Sequence, residues 1–260
     1  HYNDLKKLKI LNPISEDLNV LRPSLLPNLI GAVKKNIARG HESLSFFEVG
    51  NQFLSSNSGD QNTVVCAIRT GIKQSKNWKE EEISYDIYDI KKDMIELINY
   101  ILPQKNKLEV IREAPNWYHP GRSGTLMLNK SVKVGYFGEL HPKILNSYKI
   151  KSRINIFEVF LDDIPFLKKK STNKPIFKQS NFQKVYRDFA FIVDQNIDGS
   201  DVVNSTLKVD QNLIKSVDIF DIFTDSSIGE EKKSIAIKVT MQADDRTLSE
   251  NDIQDLSSKI

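Results

Sequence analysis

The residues with the best-defined chemistry lie in the last third of the chain. In the stretch 233–241 every second residue is apolar, so a strand here buries one face and leaves the other open. Ser234 and Lys238 belong to the open set. This face is free to bind, and a sheet that reads single-stranded RNA does so through aromatic rings that stack on a base and polar groups that bond its Watson–Crick edge.

The neighbouring stretch 215–223 permits two arrangements, since Asp221 and Phe223 alternate with Phe220 and Ile222. If Phe220 turns inward, Asp221 and Phe223 lie beside Ser234 on the open face. Phe223 would then stack on a base, with Asp221 and Ser234 as hydrogen-bonding partners. The alternative is that Phe223 packs at the end of its strand.

Charge gives conflicting indications about a nucleic-acid partner. Arg187 and Arg246 flank this sheet as candidates for phosphate contacts, although Arg187 beside Asp188 is equally consistent with a structural ion pair. Residues 1–177 hold 27 Lys and Arg against 19 Asp and Glu, whereas residues 178–260 hold 10 against 15. The acidic balance favours an alternative, a module that binds proteins or small molecules and never contacts RNA.

Catalytic and metal sites are not indicated by the remaining reactive residues. The single cysteine, Cys66, lies in an apolar run and is expected to be a buried thiol. The four histidines show no metal-ligand spacing, and no nucleophile with a base can be assembled. No apolar run is long enough to span a membrane, so we expect a cytoplasmic protein.

Two amphipathic helices and several strands are predicted in the first part of the chain. Apolar residues at helical spacing indicate helices over residues 23–39 and 86–102, the second capped by Asp86 or Ser84. Residues 129–131 read as a tight turn that joins two strands into a hairpin. The pattern indicates an α+β domain with an antiparallel sheet. The predicted strands are 45–53, 63–70, 124–128 and 132–140.

The last part predicts a second, smaller domain with the element order β-α-β-β-α. Strands are expected over 187–193, 215–223 and 233–241, and helices over 200–209 and 249–260. This is a ferredoxin-like order that lacks its last strand. We place the domains at residues 1–167 and 182–260, with a linker at 168–181 whose lysines are either solvated or loose phosphate contacts.

Dispersed motifs in both parts resemble one family. The chain is similar to the C-terminal part of bacterial phenylalanyl-tRNA synthetase beta subunits, which carries a catalytically silent, class II synthetase-like domain and a ferredoxin-fold anticodon-binding domain. The motifs in the second part are Arg187-Asp188, Phe220-Asp221-Ile222-Phe223, Lys233-Ser234 and Arg246-Thr247-Leu248. Those in the first are Asn12-Pro13, Leu21-Arg22-Pro23-Ser24-Leu25-Leu26-Pro27, Phe47-Glu48-Val49-Gly50, His119-Pro120-Gly121-Arg122 and Gly138-Glu139-Leu140-His141-Pro142.

The resemblance implies that the first domain lacks ATP chemistry. Aligned on Gly50 and Phe53, the arginine of the second class II motif is replaced by Leu54 and its glutamate by Ser56. Neither side chain can grip an ATP phosphate. We therefore expect no catalytic residue and no bound cofactor in this chain, with ATP and Mg²⁺ used by the complete enzyme. The turn at Gly121 and Arg122 leads into a strand, so we interpret it as structural.

The resemblance also implies partners and a binding site. An alpha subunit in an alpha-2 beta-2 assembly would dock on an exposed apolar patch of the first domain. The second domain would bind the anticodon stem-loop of tRNA(Phe), with base recognition at Asp221, Phe223 and Ser234. The family has a tyrosine where Phe223 stands, so stacking is kept and a hydroxyl is lost.

Overall fold

The structure, a computed structural model, describes residues 8–57, 59–102, 107–165 and 180–260. The chain divides into two compact units, residues 1–170 and 171–260. Most of the predicted linker at 168–181, with all of its lysines, lies outside the described residues. The predicted domain boundaries at residues 167 and 182 stay a prediction.

The first unit is built on a six-stranded antiparallel sheet with the strand order β1-β2-β8-β7-β6-β5. Asn129 and Lys130 adopt positive φ angles of 51° and 64°, which confirms the tight turn that joins β6 to β7. A small two-stranded sheet joins β3 to β4. The strands are β1 (Leu44–Phe53), β2 (Gln61–Thr70), β3 (Ile72–Gln74), β4 (Ile83–Ser84), β5 (Leu108–Ile111), β6 (Tyr118–Leu128), β7 (Val132–Leu140) and β8 (Ile154–Phe160).

Helices cover both faces of this sheet. One face packs against α1 (Leu26–Ile37) and α3 (Pro142–Tyr148), and the opposite face packs against α2 (Ile87–Ile101). Asp86 begins α2 with a capping box, which confirms the first of the two predicted caps. Because β8 lies between both helical layers, all seven of its residues are buried. Its apolar residues do not alternate with exposed polar ones, and β8 is absent from the sequence prediction together with β3, β4, β5 and α3.

The second unit confirms the order β-α-β-β-α. Its antiparallel sheet has the strand order β10-β11-β9, and both helices pack against the same face. The inner positions of β11, from Ile235 to Met241, are completely buried, as their alternation predicts. The elements are β9 (Val185–Asp194), α4 (Gly199–Val209), β10 (Ile214–Phe223), β11 (Lys232–Met241) and α5 (Glu250–Lys259).

Candidate nucleic-acid interface

The open face of the second sheet brings candidate residues from different strands together. The strand register forms one row from Ile192 of β9, Ser234 of β11 and Phe223 of β10. Phe223 is 50% exposed, so its ring is not sealed beneath the helices. The next row places Asp221 opposite Ala236 on the same face. Three candidates for base recognition therefore lie within two adjacent rows.

A bulge in β10 resolves the two arrangements that the sequence permits. The register shifts between Ile219 and Asp221, so Phe220 is an extra residue in its strand. The Lys238 Nζ atom lies 5.7 Å from the centre of the Phe220 ring, which is 56% exposed. Phe220, Asp221 and Phe223 thus all face the open side. The condition that Phe220 turns inward is wrong, because a bulge re-aims the side chains that follow it.

Strand β9 adds two exposed side chains that the sequence reasoning missed. Tyr186 is 55% exposed and Ile192 is 64% exposed. They occupy the even positions of β9, which alternate with the half-buried Phe189 and Phe191. This alternation could have identified the exposed side chains of β9 from the sequence. The charged Arg187 interrupts the apolar residues at the odd positions and obscures the pattern.

The open face carries more carboxylates than cations. In the register, Lys238 of β11 lies between Asp188 of β9 and Asp218 of β10. Asp221 and Asp194 add further carboxylates on the same side. A phosphate backbone gains little attraction from such a surface. The arrangement suits bases that stack on exposed rings while their backbone is turned away.

Arg187 does not share this face. It pairs with Val239, which is completely buried on the helix side. Successive strand residues point to opposite faces, so Arg187 and Asp188 are directed apart and the alternative of a structural ion pair is not supported. On the helix side Arg187 lines a groove of about 380 Å³ with Glu250, Ile253, Gln254, Ser257 and Ser258 of α5. At the edge of β9 it also borders an open cleft of about 580 Å³ with Tyr186, Asp188 and Lys238.

Arg246 is held at the far end of the sheet. Its guanidinium pairs with Asp245 at 3.6 Å and with Asp252 at 3.3 Å. Hydrogen bonds from Ser249, joined by the pair with Arg246, lower the pKa of the Asp252 carboxyl. Arg246 follows the end of β11, whereas Ser234 lies near its start, roughly 20 Å away along the strand. The six candidates thus divide into four on the open face and two arginines elsewhere.

In the first unit, the position of the absent motif arginine holds an exposed apolar side chain. Leu54 directly follows β1 and is 54% exposed, and Ser56 is not buried either. Arg22, which lies beside β1, is engaged within the protein. It pairs with Glu48, and its Nε atom donates a hydrogen bond to the Asn51 carbonyl at 3.0 Å. This guanidinium is therefore not free to grip a phosphate.

A buried carboxylate lies in the middle of the same sheet. Glu158 accepts hydrogen bonds from Trp117 Nε1 at 3.2 Å and from the Tyr118 hydroxyl at 3.0 Å. The Ser24 hydroxyl lies 3.4 Å from its other oxygen. Burial raises the pKa of Glu158 despite these donors. Burial also raises the pKa of the neighbouring Cys66 thiol, which is buried as predicted.

The two class II motif positions of the first unit do not fit the ATP and Mg²⁺ that the resemblance implies for a complete synthetase. Among residues 8–57, 59–102, 107–165 and 180–260, no three His, Cys, Asp or Glu side chains converge to hold a metal ion. Leu54 and Ser56 offer no cation for a nucleotide phosphate. No helix in the described part of the chain has the length and apolarity needed to cross a membrane.

The two sheets together define a class of protein. An antiparallel sheet covered on both faces is followed by a ferredoxin-like sheet with exposed aromatic rings, and the family matches of both units assign this combination to the aminoacyl-tRNA synthetases. Residues 1–161 match the phenylalanyl tRNA synthetase beta chain CLM domain, and residues 180–260 match the ferredoxin-fold anticodon binding domain. The chain belongs to the phenylalanyl-tRNA synthetase beta chain family.

Curated relatives agree with these matches. The phenylalanine–tRNA ligase beta subunits of Bartonella henselae and Bartonella quintana are 40% and 41% identical to this chain over 259 residues. These alignments cover 98% of this chain and 32% of each relative. The beta subunit of Rickettsia prowazekii is 40% identical over 262 residues, and this alignment covers 100% of this chain and 32% of the relative. The chain thus spans about a third of the length of the curated relatives it matches. Among solved structures, pyrrolysyl-tRNA synthetase from Desulfitobacterium hafniense superimposes with a TM-score of 0.44 and 15% identity, over 61% of this chain and 52% of that one.

Proposed function

We propose that this chain is a non-catalytic portion of a cytoplasmic phenylalanine–tRNA ligase. Its first domain docks the catalytic alpha subunit, and its second binds the anticodon stem-loop of tRNA(Phe). The observation that carries the RNA-binding role is the half-exposed Phe223 ring beside Ser234 on an open sheet face. The nearby Phe220 ring supports the same role, because two exposed rings offer stacking surfaces for two bases.

The stem-loop role is tested by binding to the 260-residue chain. Phe223→Ala removes the stacking ring, and we expect a loss of about 1–3 kcal/mol in binding a tRNA(Phe) anticodon stem-loop. Ile222→Ala is the matched control, since Ile222 is 56% exposed but pairs with Ile235 on the helix side. Affinities measured by fluorescence anisotropy at low salt compare the two variants.

Two results would count against RNA binding at this face. Equal affinities for the F223A and I222A variants would remove Phe223 from the site. No binding by the unaltered chain would favour a protein-interacting or small-molecule module, which the acidic face supports through Asp188, Asp218 and Asp221. Phe223→Tyr adds a hydroxyl at the same position and tests whether a further hydrogen bond is available.

The docking role is supported by an exposed apolar strand at the edge of the first sheet. Among the residues that the structure describes, β1 pairs only with β2, and no described strand of this sheet covers its other edge. Phe47 is 75% exposed and Val49 is 54% exposed, and the two lie on one face of β1. Apolar patches of this kind mark protein interfaces. Leu54 extends the exposed apolar side chains beyond the end of the strand.

Co-purification with the alpha subunit tests this surface. Phe47→Asp places a charge where an apolar contact is proposed, and we expect the variant to lose its partner during size-exclusion chromatography. Tyr100→Asp is the control, because Tyr100 is 87% exposed on α2. Retention of the alpha subunit by the F47D variant, or equal loss in both variants, would exclude this strand as the docking surface.

The absence of adenylate chemistry is tested on the isolated chain. With Leu54 and Ser56 at the two motif positions, we expect no phenylalanine-dependent exchange of pyrophosphate into ATP. The assay is run with and without the alpha subunit. Exchange in the presence of the alpha subunit serves as the positive control for the reagents and the preparation. Exchange by the chain alone would overturn the non-catalytic assignment.

A further inference from the structure

A polar cleft at one end of the first sheet takes no part in the proposed function. It has a volume of about 420 Å³ and lies between the start of β6, the end of β7 and the segment that follows α3. Its floor is apolar and includes Leu145 and Ile150, which belong to the core. Its polar lining consists of His119, Arg122, Glu139, Asn146, Lys151 and Arg153.

Arg122 is oriented by the one carboxylate in the cleft. Its Nη1 atom lies 2.9 Å from Glu139 Oε2, and the Glu139 side chain is only 11% exposed. The Arg122 side chain remains 47% exposed, so the rest of its guanidinium can donate to a ligand. Glu139 therefore holds the arginine in place and offers little free negative charge to repel an anion.

Lys151 and Arg153 supply two further cations without internal partners. They are exposed, two residues apart on the connection between α3 and β8. Within the described ranges, neither side chain forms an ion pair or a hydrogen bond. The Thr70 hydroxyl donates to the Arg153 carbonyl at 2.7 Å, which fixes the backbone beneath this side chain. These cations are available to a ligand, and their removal breaks no ion pair or hydrogen bond among the described residues.

His119 presents a donor in its neutral form. Its Nδ1 atom accepts a hydrogen bond from the Gly121 amide at 3.1 Å. A neutral imidazole with an accepting Nδ1 carries its proton on Nε2. The Ser123 hydroxyl donates to the His119 carbonyl at 2.7 Å, so the irregular start of β6 around the ring is also fixed. The turn predicted here is wrong, because these residues lie within β6, and their structural role in this strand is compatible with a second role in the cleft.

These groups define the chemistry of a ligand. Three cations and an imidazole N–H surround one carboxylate that is already paired, so the cleft favours an anion. A phosphate carries more charge and more acceptor oxygens than a single carboxylate, and guanidinium groups bind it in a fork geometry. We propose that this cleft binds a phosphate group, carried either by a nucleic-acid backbone or by a free nucleotide.

Titration of the 260-residue chain with pyrophosphate, ATP and a duplex RNA at low salt tests the site. The duplex has no single-stranded loop, so its binding does not require the open face of the second sheet. A failure of the cleft proposal can therefore be distinguished from a failure of the anticodon proposal. We expect the double substitution Lys151→Ala and Arg153→Ala to weaken binding about tenfold or more. The control, Lys34→Ala with Lys35→Ala, removes the same charge from two exposed lysines of α1 and should change affinity less than about twofold.

Each outcome decides the proposal or identifies the source of the phosphate. Binding of pyrophosphate and ATP alone indicates a free nucleotide, whereas binding of the duplex alone indicates a backbone phosphate. No binding of any probe, or equal losses in both double variants, overturns the proposal. Binding of poly-glutamate that depends on Lys151 and Arg153, without binding of the phosphate probes, assigns the cleft to a protein partner and also overturns it. Thermal melts confirm that the variants are folded.

Discussion

The two sheets of this chain differ in the number of faces that are covered. The first sheet is packed on both sides, and every residue of its central strand β8 is buried. The second sheet is packed on one side, and β9 alternates between half-buried and exposed positions. A sheet covered on both sides leaves mainly its edges and ends for a ligand, whereas a one-sided sheet combines a core with a binding face.

The same difference governs how polar groups are used. In the first sheet Glu158 is enclosed and satisfied by internal donors, so it contributes to the interior rather than to recognition. In the second sheet Asp221 and Ser234 lie on the open face, where their hydrogen-bonding capacity remains available. The type of a polar residue therefore indicates its function only when it is also known whether packed helices bury that residue.

The largest contrast is expected when a small side chain is enlarged in each sheet. A Cβ atom at Gly135 would overlap the Glu158 carbonyl oxygen and lie 2.9 Å from Met94 Cε. Because backbone cannot yield as a flexible side chain does, we expect Gly135→Ala to lower the free energy of unfolding by more than about 3 kcal/mol. Ala190→Val on the open face should change it by less than about 0.5 kcal/mol. Urea unfolding measures both, and equal effects would contradict the contrast.

A smaller effect is expected from the bulge residue of the open face. Phe220→Ala removes an exposed ring, so we expect weaker binding of the anticodon stem-loop by about 1–3 kcal/mol. Stability should change little, because the ring is 56% exposed. Fluorescence anisotropy with the I222A variant as reference measures the binding change. Unaltered affinity together with lost stability would show that Phe220 serves packing instead.

The enclosed carboxylate should make the first sheet sensitive to pH. Burial raises the pKa of Glu158, so the folded state binds its proton more tightly than the unfolded state does. The resulting stabilisation is complete below the ordinary carboxyl pKa and is lost as the pH rises through the raised value. Glu158→Gln keeps the shape and an acceptor for Trp117 and Tyr118 but cannot ionise.

Unfolding of both proteins across this pH range isolates the effect of Glu158. The unfolding free energy of the unaltered chain should fall relative to that of the E158Q variant as the pH rises. A constant difference between them would show that Glu158 has the same pKa in the folded and unfolded states.

The smallest effect concerns salt. Lys238 is the central cation of an open face on which four aspartates outnumber Lys232 and Lys238, so stem-loop binding should depend only weakly on ionic strength. We expect a slope of about −0.7 in a plot of log K against log salt, the value for one neutralised phosphate of a single strand. Lys238→Ala should bring the slope close to zero. A slope several times steeper would indicate that the backbone is bound elsewhere on the chain.

Local sequence patterns determined most of the elements and one face of the second sheet. The alternation from Ile235 to Met241 identified the buried side of β11, because side chains of a strand point alternately to its two faces. Helical spacing identified α1 and α2, and Asp86 identified the start of α2. The covered strand β8 was missed because a strand buried on both sides has no alternation.

Strand pairing and packing determined the rest. The bulge at Phe220 depends on how β10 pairs with β11, and it alone decides that Phe220, Asp221 and Phe223 share a face. The register with Val239 places Arg187 on the helix side. The cleft around Arg122 and Arg153 assembles residues that are distant in sequence. One sequence reports the local preferences of each segment, whereas register and proximity arise only when segments pair and pack.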